Sequence, residues 1–304
     1  SNFCGKNGLR FYCTYFDRNY VVRVLALIES LERVAGDYHL YALCFDVESQ
    51  MILESLDLER VIPVPLSDLE VFDPDMFAKK ADRNLIDYYL TSTPCFLRYI
   101  FDTYPEINQL SYLDADLYFF SDPEPVFDEI GDASVGLVPH NFTPDRLDQE
   151  RYGKFNVSWL TIRRSYDGLN ALNWYRDRCI EWCHDDLEND KFGDQKYLDS
   201  LPLEFSDVRL VARTGVILAV WNSNNQEITQ SNGVPLIDGY PVICFHFQRI
   251  WMKENGAFDC NIPTHHKPPD SVSVMVRHMY QPYCISLLNN LNRVRKIWPE
   301  AHLE

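Results

Sequence analysis

Two carboxylates stand two residues apart in an otherwise aliphatic and aromatic run, Tyr112-Leu113-Asp114-Ala115-Asp116-Leu117-Tyr118-Phe119-Phe120. The run has the composition of a buried strand, and residues i and i+2 of an extended chain share a face, so both side chains can reach one ion. Burying unpaired negative charges costs several kcal/mol or more, which calls for a compensating cation or a tightly held water network. Two carboxylates together with water and phosphate oxygens suit Mg²⁺ or Mn²⁺. The competing reading makes Asp114 a turn cap and leaves Asp116 in solvent. A second polar interruption is His246, near the end of the apolar segment Val242-Ile243-Cys244-Phe245-His246-Phe247-Gln248. By itself it reads as a packed core histidine. Joined to the aspartates, its imidazole nitrogen shifts the preference toward Mn²⁺.

Other side chains offer weaker chemistry. The stretch Val220-Trp221-Asn222-Ser223-Asn224-Asn225 sets a flat aromatic face beside several amides, as a sugar-binding rim does, because the ring meets C–H groups while amides pair with hydroxyls. Core packing of Trp221 followed by an Asn-rich turn accounts for the same residues. Tyr152, Trp159 and Trp251 are further candidates of this kind. The nine cysteines are an odd and irregular set, several of them in apolar runs, and read as reduced, mostly buried thiols of a cytosolic protein. Cys179, Cys183 and His184 share an expected helix, but no second Cys/His pair of matching spacing completes a zinc site.

These groups need a scaffold, and 304 residues with 46% hydrophobic composition can bury a full core. A formal net charge of -17 argues against a general grip on nucleic acid, so a phosphate-bearing ligand needs a local metal or a few placed cations. No uninterrupted apolar run reaches the roughly 18 residues of a membrane span, and Ser1 to Arg10 lacks an apolar targeting core. Leu9 to Phe16 alternates as a strand, Tyr20 to Val34 has helical periodicity, and Tyr38 to Phe45 returns to strand. A helix from Val47 to Leu56 and a strand from Arg60 to Val64 repeat the pattern, which favours a parallel, helix-covered sheet. Helices follow at about Met76 to Tyr89 and Pro94 to Tyr104. Beyond the aspartates come a strand at Ala133 to Pro139, a polar loop from His140 to Lys154 and a strand at Asn156 to Ile162. A helix from Tyr166 to His184 and a short one from Asp194 lead into a β-rich region, Leu203 to Phe247, with turns at Ser231-Asn232-Gly233 and Asp238-Gly239. The end, about Val272 to Ile297, is helical with a break expected at Pro282.

With these positions laid out, Leu113-Asp114-Ala115-Asp116 matches the DxD motif of GT-A glycosyltransferases. Further segments, in order, make the chain resemble glycosyltransferase family 8, the group of glycogenin and bacterial lipopolysaccharide galactosyltransferases. Asp17-Arg18-Asn19-Tyr20 is similar to the family's first nucleotide loop, and the resemblance implies that Asp17 meets uracil, Asn19 the ribose and that Tyr20 stacks on the base. Arg98, sixteen residues before Asp114, falls near the family's donor-binding Arg. Phe155-Asn156-Val157-Ser158 resembles the Phe-Asn-x-Gly strand start, which implies a donor contact for Asn156. Asp194-Gln195 resembles the Asp-Gln pair beside the donor sugar, and His246-Phe247 the His-Phe metal element. The likeness spans about residues 9 to 253. Ser158 stands where Gly is usual, and Gln248 to Lys253 departs from the family's Gly and Lys-Pro-Trp, leaving Lys253 as the nearest phosphate-gripping cation and Arg249 as the second. Each residue also has a plain structural role open to it: Asp17 and Asn19 in a turn and helix cap, Arg98 on a surface, Asn156 on nearby backbone, Asp194 as a helix cap.

The expectation is an α/β chain of GT-A fold, with a mostly parallel central sheet flanked by helices, a β-rich second half and C-terminal helices. It is expected as one domain, with a nucleotide half at about 9–140, an acceptor and sugar half at about 141–270 and C-terminal helices at about 271–300. The implied activity is metal-dependent transfer, with retention, of a sugar from a UDP-sugar to a glycan, a lipid-linked sugar or a protein. Mn²⁺ or Mg²⁺ is bound by Asp114, Asp116 and His246, Asp17, Asn19, Tyr20, Arg98, Asn156 and Lys253 bind the donor, and Asp194 and Gln195 sit at the reacting sugar. The setting implied is bacterial polysaccharide synthesis in the cytoplasm. Arg293, Arg295 and Lys296, near apolar Leu287, Leu288, Leu291 and Ile297, offer a peripheral contact to an anionic membrane, or else the basic end of a packed helix. A sugar-phosphate nucleotidyltransferase is the rival enzyme, although Tyr15 to Tyr20 lacks the glycine-rich phosphate loop such an enzyme favours. A non-catalytic carbohydrate or nucleotide-sugar binding protein is the other alternative.

Overall fold

A computed structural model of the chain describes residues 8–224, 226–260, 262 and 269–303. Ser1 to Asn7, with Cys4 among them, Asn225 and Glu304 lie outside the described residues. The chain opens as β1 (Arg10–Phe16), α1 (Val21–Val34), β2 (Tyr38–Cys44), α2 (Val47–Leu56) and β3 (Val61–Pro65). Side chains alternate along β1, so Tyr12 and Phe16 enter one core while Cys13 enters the other, and a strand covered on both faces must be apolar on both. Asp46 caps α2 by accepting from the Ser49 N–H at 2.8 Å, and Asp57 ends it in the left-handed conformation.

Next come α3 (Leu66–Phe72), α4 (Pro74–Lys79) and α5 (Leu85–Thr103). The two helices expected between Met76 and Tyr104 are thus wrongly divided, because Pro94 lies inside α5. A proline there forfeits one backbone hydrogen bond, but Thr91 to Leu97 are all buried, and packing on every side outweighs that loss. The chain then forms β4 (Gln109–Leu113), β5 (Leu117–Phe119), α6 (Glu124–Ile130) and β6 (Val135–Pro139). The expected loop from His140 holds a 3₁₀ helix, Pro144–Tyr152, before β7 (Phe155–Arg163) and α7 (Tyr166–Glu181). A second 3₁₀ helix, Gln195–Ser200, runs into α8 (Leu201–Glu204).

The seven-stranded sheet has the order β3-β2-β1-β4-β7-β6-β8, where β8 is Val208–Leu210. Only β7 runs against its neighbours β4 and β6. From β1 the chain winds outward through β2 and β3, then returns to place β4 on β1's other side, which creates a topological switch point at the carboxyl ends of β1 and β4. Asp17 follows β1 at that end, Asp114 follows β4, His140 follows β6, and antiparallel β7 begins there with Phe155 and Asn156.

The β-rich half supplies β9 (Ile228–Ser231), β10 (Val234–Ile237), β11 (Tyr240–Pro241), β12 (Cys244–His246) and a hairpin of β13 (Trp251–Met252) with β14 (Phe258–Asp259). Both expected turns are present, with Asn232, Gly233, Asp238 and Gly239 all at positive φ. The chain closes with α9 (Pro269–Met275), a π turn at Val276–Tyr280 and α10 (Gln281–Arg295). The break expected at Pro282 is this π turn, since the proline sits in the first turn of α10, where its missing N–H costs least. Leu287 and Leu291 are buried in the core shared with α1 and Ile297 is partly buried against it, so most of the apolar residues offered to a membrane are used in packing, and Leu288 is exposed. Among the described residues, no helix is long and apolar enough to cross a membrane.

Strand β12 pairs antiparallel with β5, setting His246 opposite Leu117. The segment before β12 is fixed by Ile243 N donating to the Gly215 carbonyl at 2.9 Å. Gly215 has φ +88, and a Cβ there would collide with the Pro241 carbonyl. Gly215→Ala is expected to lower the unfolding free energy by roughly 1–3 kcal/mol, measured by urea denaturation; unchanged stability would remove Gly215 from this anchoring role.

Candidate functional site

The Asp114/Asp116 pair does not lie on one pleated strand as the spacing suggested. It occupies a turn between β4 and β5, closed by Leu117 N donating to the Asp114 carbonyl at 3.2 Å. Ser158 on β7 fixes the turn from one side by accepting from Asp114 N at 3.0 Å, and Phe247 fixes it from the other by donating its N–H to the Asp116 carbonyl at 3.1 Å. The same-face result survives for a different reason. Asp114, Asp116 and His246 converge so that one ligand atom from each lies within 4.8 Å of the others. His246 Nε2 is 3.0 Å from Asp116 Oδ1 and 3.7 Å from Asp114 Oδ2, and the Tyr112 hydroxyl donates to Asp114 Oδ1 at 2.8 Å.

The electrostatics are those of charges held together out of water. Burial, helped by Asp116, pushes the Asp114 carboxyl up to about 6 despite the facing imidazole. Burial acts on Asp116 as well, but His246 and Arg23 outweigh it and hold its carboxyl below the ordinary value. His246 is raised, because the two aspartates overcome the desolvation that would lower it. Two carboxylates and an imidazole suit a divalent ion of the Mn²⁺ type, and no other group of three or more possible ligands occurs among the described residues. Cys179 and Cys183 are core thiols, and His184 is paired instead with Asp87 at 2.7 Å, so the zinc reading is unsupported.

A cleft of about 900 Å³ opens over this triad. On one side, Asp17 folds into a turn, its Oδ1 accepting from Asn19 N at 2.9 Å and its Oδ2 from the Tyr89 hydroxyl at 3.0 Å. The helix cap expected of Asp17 or Asn19 is absent, as the capping position falls to Tyr20, whose side chain makes no capping bond. Tyr20 and Asn19 line the cleft. Tyr89 packs on Phe45 at 4.1 Å between ring centroids and completes an aromatic wall. The sequence carries no spacing signal for Tyr89, because only the rotation of α5 turns it inward.

On the other side lie Asn156, Asp194 and Gln195. Asn156 accepts from Ser158 N at 3.0 Å through Oδ1, while its buried Nδ2 has no protein partner. Gln195 donates to the Tyr152 carbonyl at 3.1 Å and receives a long bond from Val157 N at 3.4 Å. Asp194 makes no side-chain cap. Instead it accepts from the Tyr175 hydroxyl at 3.2 Å, and burial, helped by Asp114, raises its carboxyl to about 7. Trp221 and Tyr152 line the cleft as the rim reading expected, with Trp221 edge-on to His246 at 5.4 Å. Asn222 is consumed inside the fold by Ala219, Ile217 and His140. Trp159 is core and Trp251 lies outside the cleft lining. His140, stacked on Phe142, is kept neutral by burial, its imidazole lowered to about 4.

Two residues expected to contact the donor lie outside the cleft lining. Arg98 does not line the cleft, which meets α5 through Leu85, Ile86, Tyr89 and Leu90. Nine residues after Tyr89, at 100° each, bring Arg98 to the opposite face of the helix and about 13 Å along it. Lys253 also lies outside the lining and pairs with Asp259 in the β13–β14 hairpin at 3.3 Å. Arg249 and Arg23 are the Arg and Lys residues that line the cleft among those described. Arg23 was not singled out from sequence, although one charge inside the apolar run Val21 to Ile28 is the signal that could have shown it.

The architecture matches known proteins along most of its length. The galactosyltransferase LgtC, solved with donor and acceptor sugar analogues, superposes with a TM-score of 0.55 at 14% identity, covering 87% of this chain and 99% of that one. Apo mouse xyloside xylosyltransferase 1 gives 0.51 at 13% identity, covering 82% and 99%. The fold is therefore the GT-A fold of family 8 glycosyltransferases. No protein-family model matches the chain. In sequence it is 31% identical over 244 residues to the uncharacterized protein YfnF of Bacillus subtilis (strain 168), covering 78% of this chain and 80% of that protein. It is also 28% identical over 292 residues to YfnD of the same strain, likewise uncharacterized, covering 95% and 92%. The chain belongs to the family of YfnF.

Asp194 makes a test of site electrostatics that needs no substrate. Its carboxyl is raised from an ordinary 3.8 to about 7 in the folded state, so stability is fully present below the ordinary value and lost as pH climbs through the folded one. Wild-type protein is expected to lose about 1.4 kcal/mol for each pH unit across that window relative to Asp194→Asn, read from urea denaturation at pH 5 and pH 8. Parallel pH profiles for the two proteins would refute the assignment.

Proposed function

We propose that the chain is a metal-dependent glycosyltransferase that moves a sugar from a UDP-sugar to a glycan or lipid-linked sugar acceptor, with retention of configuration. The observation that carries this reading is the largely buried Asp114/Asp116/His246 triad at the switch point of the sheet, between the aromatic and the polar side of one cleft. LgtC, of the same fold, was solved with donor and acceptor sugar analogues, which supports a nucleotide-sugar donor and a sugar acceptor here. The chain from about residue 9 to 300 serves as one catalytic domain, and the setting is bacterial polysaccharide synthesis in the cytoplasm.

Asp17, Asn19, Tyr20 and the Tyr89 wall receive the uridine. Asp114, Asp116 and His246 hold Mn²⁺ or Mg²⁺, which when bound supplies Lewis-acid neutralisation of the charge developing on the departing diphosphate. Arg249, in place of Lys253 and Arg98, adds the side-chain cation on the same side. Asn156 offers its unpartnered amide N–H₂ to the donor. Asp194 and Gln195 hold the transferred sugar, and a carboxyl titrating near neutral pH can donate to or accept from its hydroxyls.

Asp116→Asn is expected to reduce Mn²⁺-dependent UDP release from UDP-sugars by at least about a hundredfold while leaving the circular dichroism spectrum intact. His246→Ala is expected to shift the Mn²⁺ titration to higher concentration. Unchanged turnover or an unaltered titration would remove the respective residue from the site, and pyrophosphate release from UTP in place of UDP release would favour nucleotidyl transfer.

A further inference from the structure

Arg23 is 4% exposed in the first turn of α1, where a guanidinium stays buried only if its donors are satisfied. Nη2 donates to the Ile250 carbonyl at 2.7 Å, across 227 residues, and Nη1 to the Asn19 carbonyl at 3.3 Å. The guanidinium also lies 4.6 Å from the centre of the Tyr20 ring. One side chain therefore touches Asn19 and Tyr20 of the nucleoside loop and the backbone beyond β12.

The segment it holds is unusual. Phe247 is anchored through its N–H to Asp116, and Ile250 through its carbonyl to Arg23. Between these buried anchors, Gln248 and Arg249 are exposed to the cleft, and Arg249 has φ +60. A left-handed arginine is strained and persists where the flanking structure over-determines it. Core packing holds the Ile250 side chain, and the Arg23 bond fixes its carbonyl and with it the backbone that carries Arg249.

We propose that Arg23 is a positioning residue for a nucleoside diphosphate, setting the spacing between the Asn19-Tyr20 loop, which meets the nucleoside, and Arg249, which meets the phosphates. This rests on the donor assignment above and extends it to a residue that need not touch the ligand. Charge-assisted bonds of this kind correspond to about a tenfold to hundredfold change in affinity.

The test is calorimetric titration of the full chain with UDP in the presence of Mn²⁺, for wild type, R23M, R249M, R23M/R249M and R23K. R23M and R249M are each expected to weaken UDP binding about tenfold or more. The double variant should be no more than about twofold weaker than R249M alone, because Arg23 acts through Arg249. R23K, which retains the charge but not the two-pronged geometry, should bind between wild type and R23M. Losses that multiply in the double variant, or R23M binding like wild type, overturn the proposal while leaving the donor assignment standing. Should R23M not fold, R23K decides, and wild-type affinity in R23K overturns it. Wild-type protein that binds no UDP sinks the donor assignment and this proposal together.

Discussion

The site depends on the repulsion between two carboxylates forced into one buried turn and on the imidazole that answers it. Asp114 and Asp116 cannot both be fully ionised in that environment at no cost, because burial disfavours the charged form of each and each carboxylate raises the cost of the other. A partner charge is thus built into the geometry. His246 supplies part of it from a strand more than a hundred residues later in sequence, and the remaining negative field points into the cleft, where a divalent ion fits the donor set.

The rest of the fold can be understood as the apparatus that holds this unfavourable arrangement still. The turn is fastened by β7 through Ser158 and by Phe247, just after β12, while β5 and β12 set the imidazole in register. Arg23 fastens the segment beyond β12 through the Ile250 carbonyl and helps keep Asp116 ionised. The sheet reversal at β1 and β4 opens the crevice into which these loops converge. Buried polar groups at its walls, Asn156 and Asp194 among them, are oriented by neighbours and not by solvent.

Much of the scaffold was legible because local signals and tertiary demands agree. Strand and helix periods alternate cleanly from Arg10 to Pro65, and α2 has the bounds its pattern indicates. The convergence of Asp114, Asp116 and His246 was legible because polar side chains in apolar runs need a reason. What failed needed information that spacing does not hold. Pro94 reads as a helix start locally, yet burial on all sides keeps α5 whole. Arg98 and Lys253 have suitable types and positions along the chain, but the rotation of one helix and the course of one hairpin point them elsewhere. The aspartates reached one face through a turn, a route that alternation along a strand could not show.

The separation of the ligands along the chain orders the events of synthesis. The acidic pair leaves the ribosome 130 residues ahead of the imidazole, counting from Asp116 to His246. The parallel βα units can collapse first, as N-terminal portions generally do, yet no complete chelating centre exists until the last third of the polypeptide has been made and docked. Nascent chains therefore carry only two of the three candidate ligands, and the set is completed together with the finished architecture.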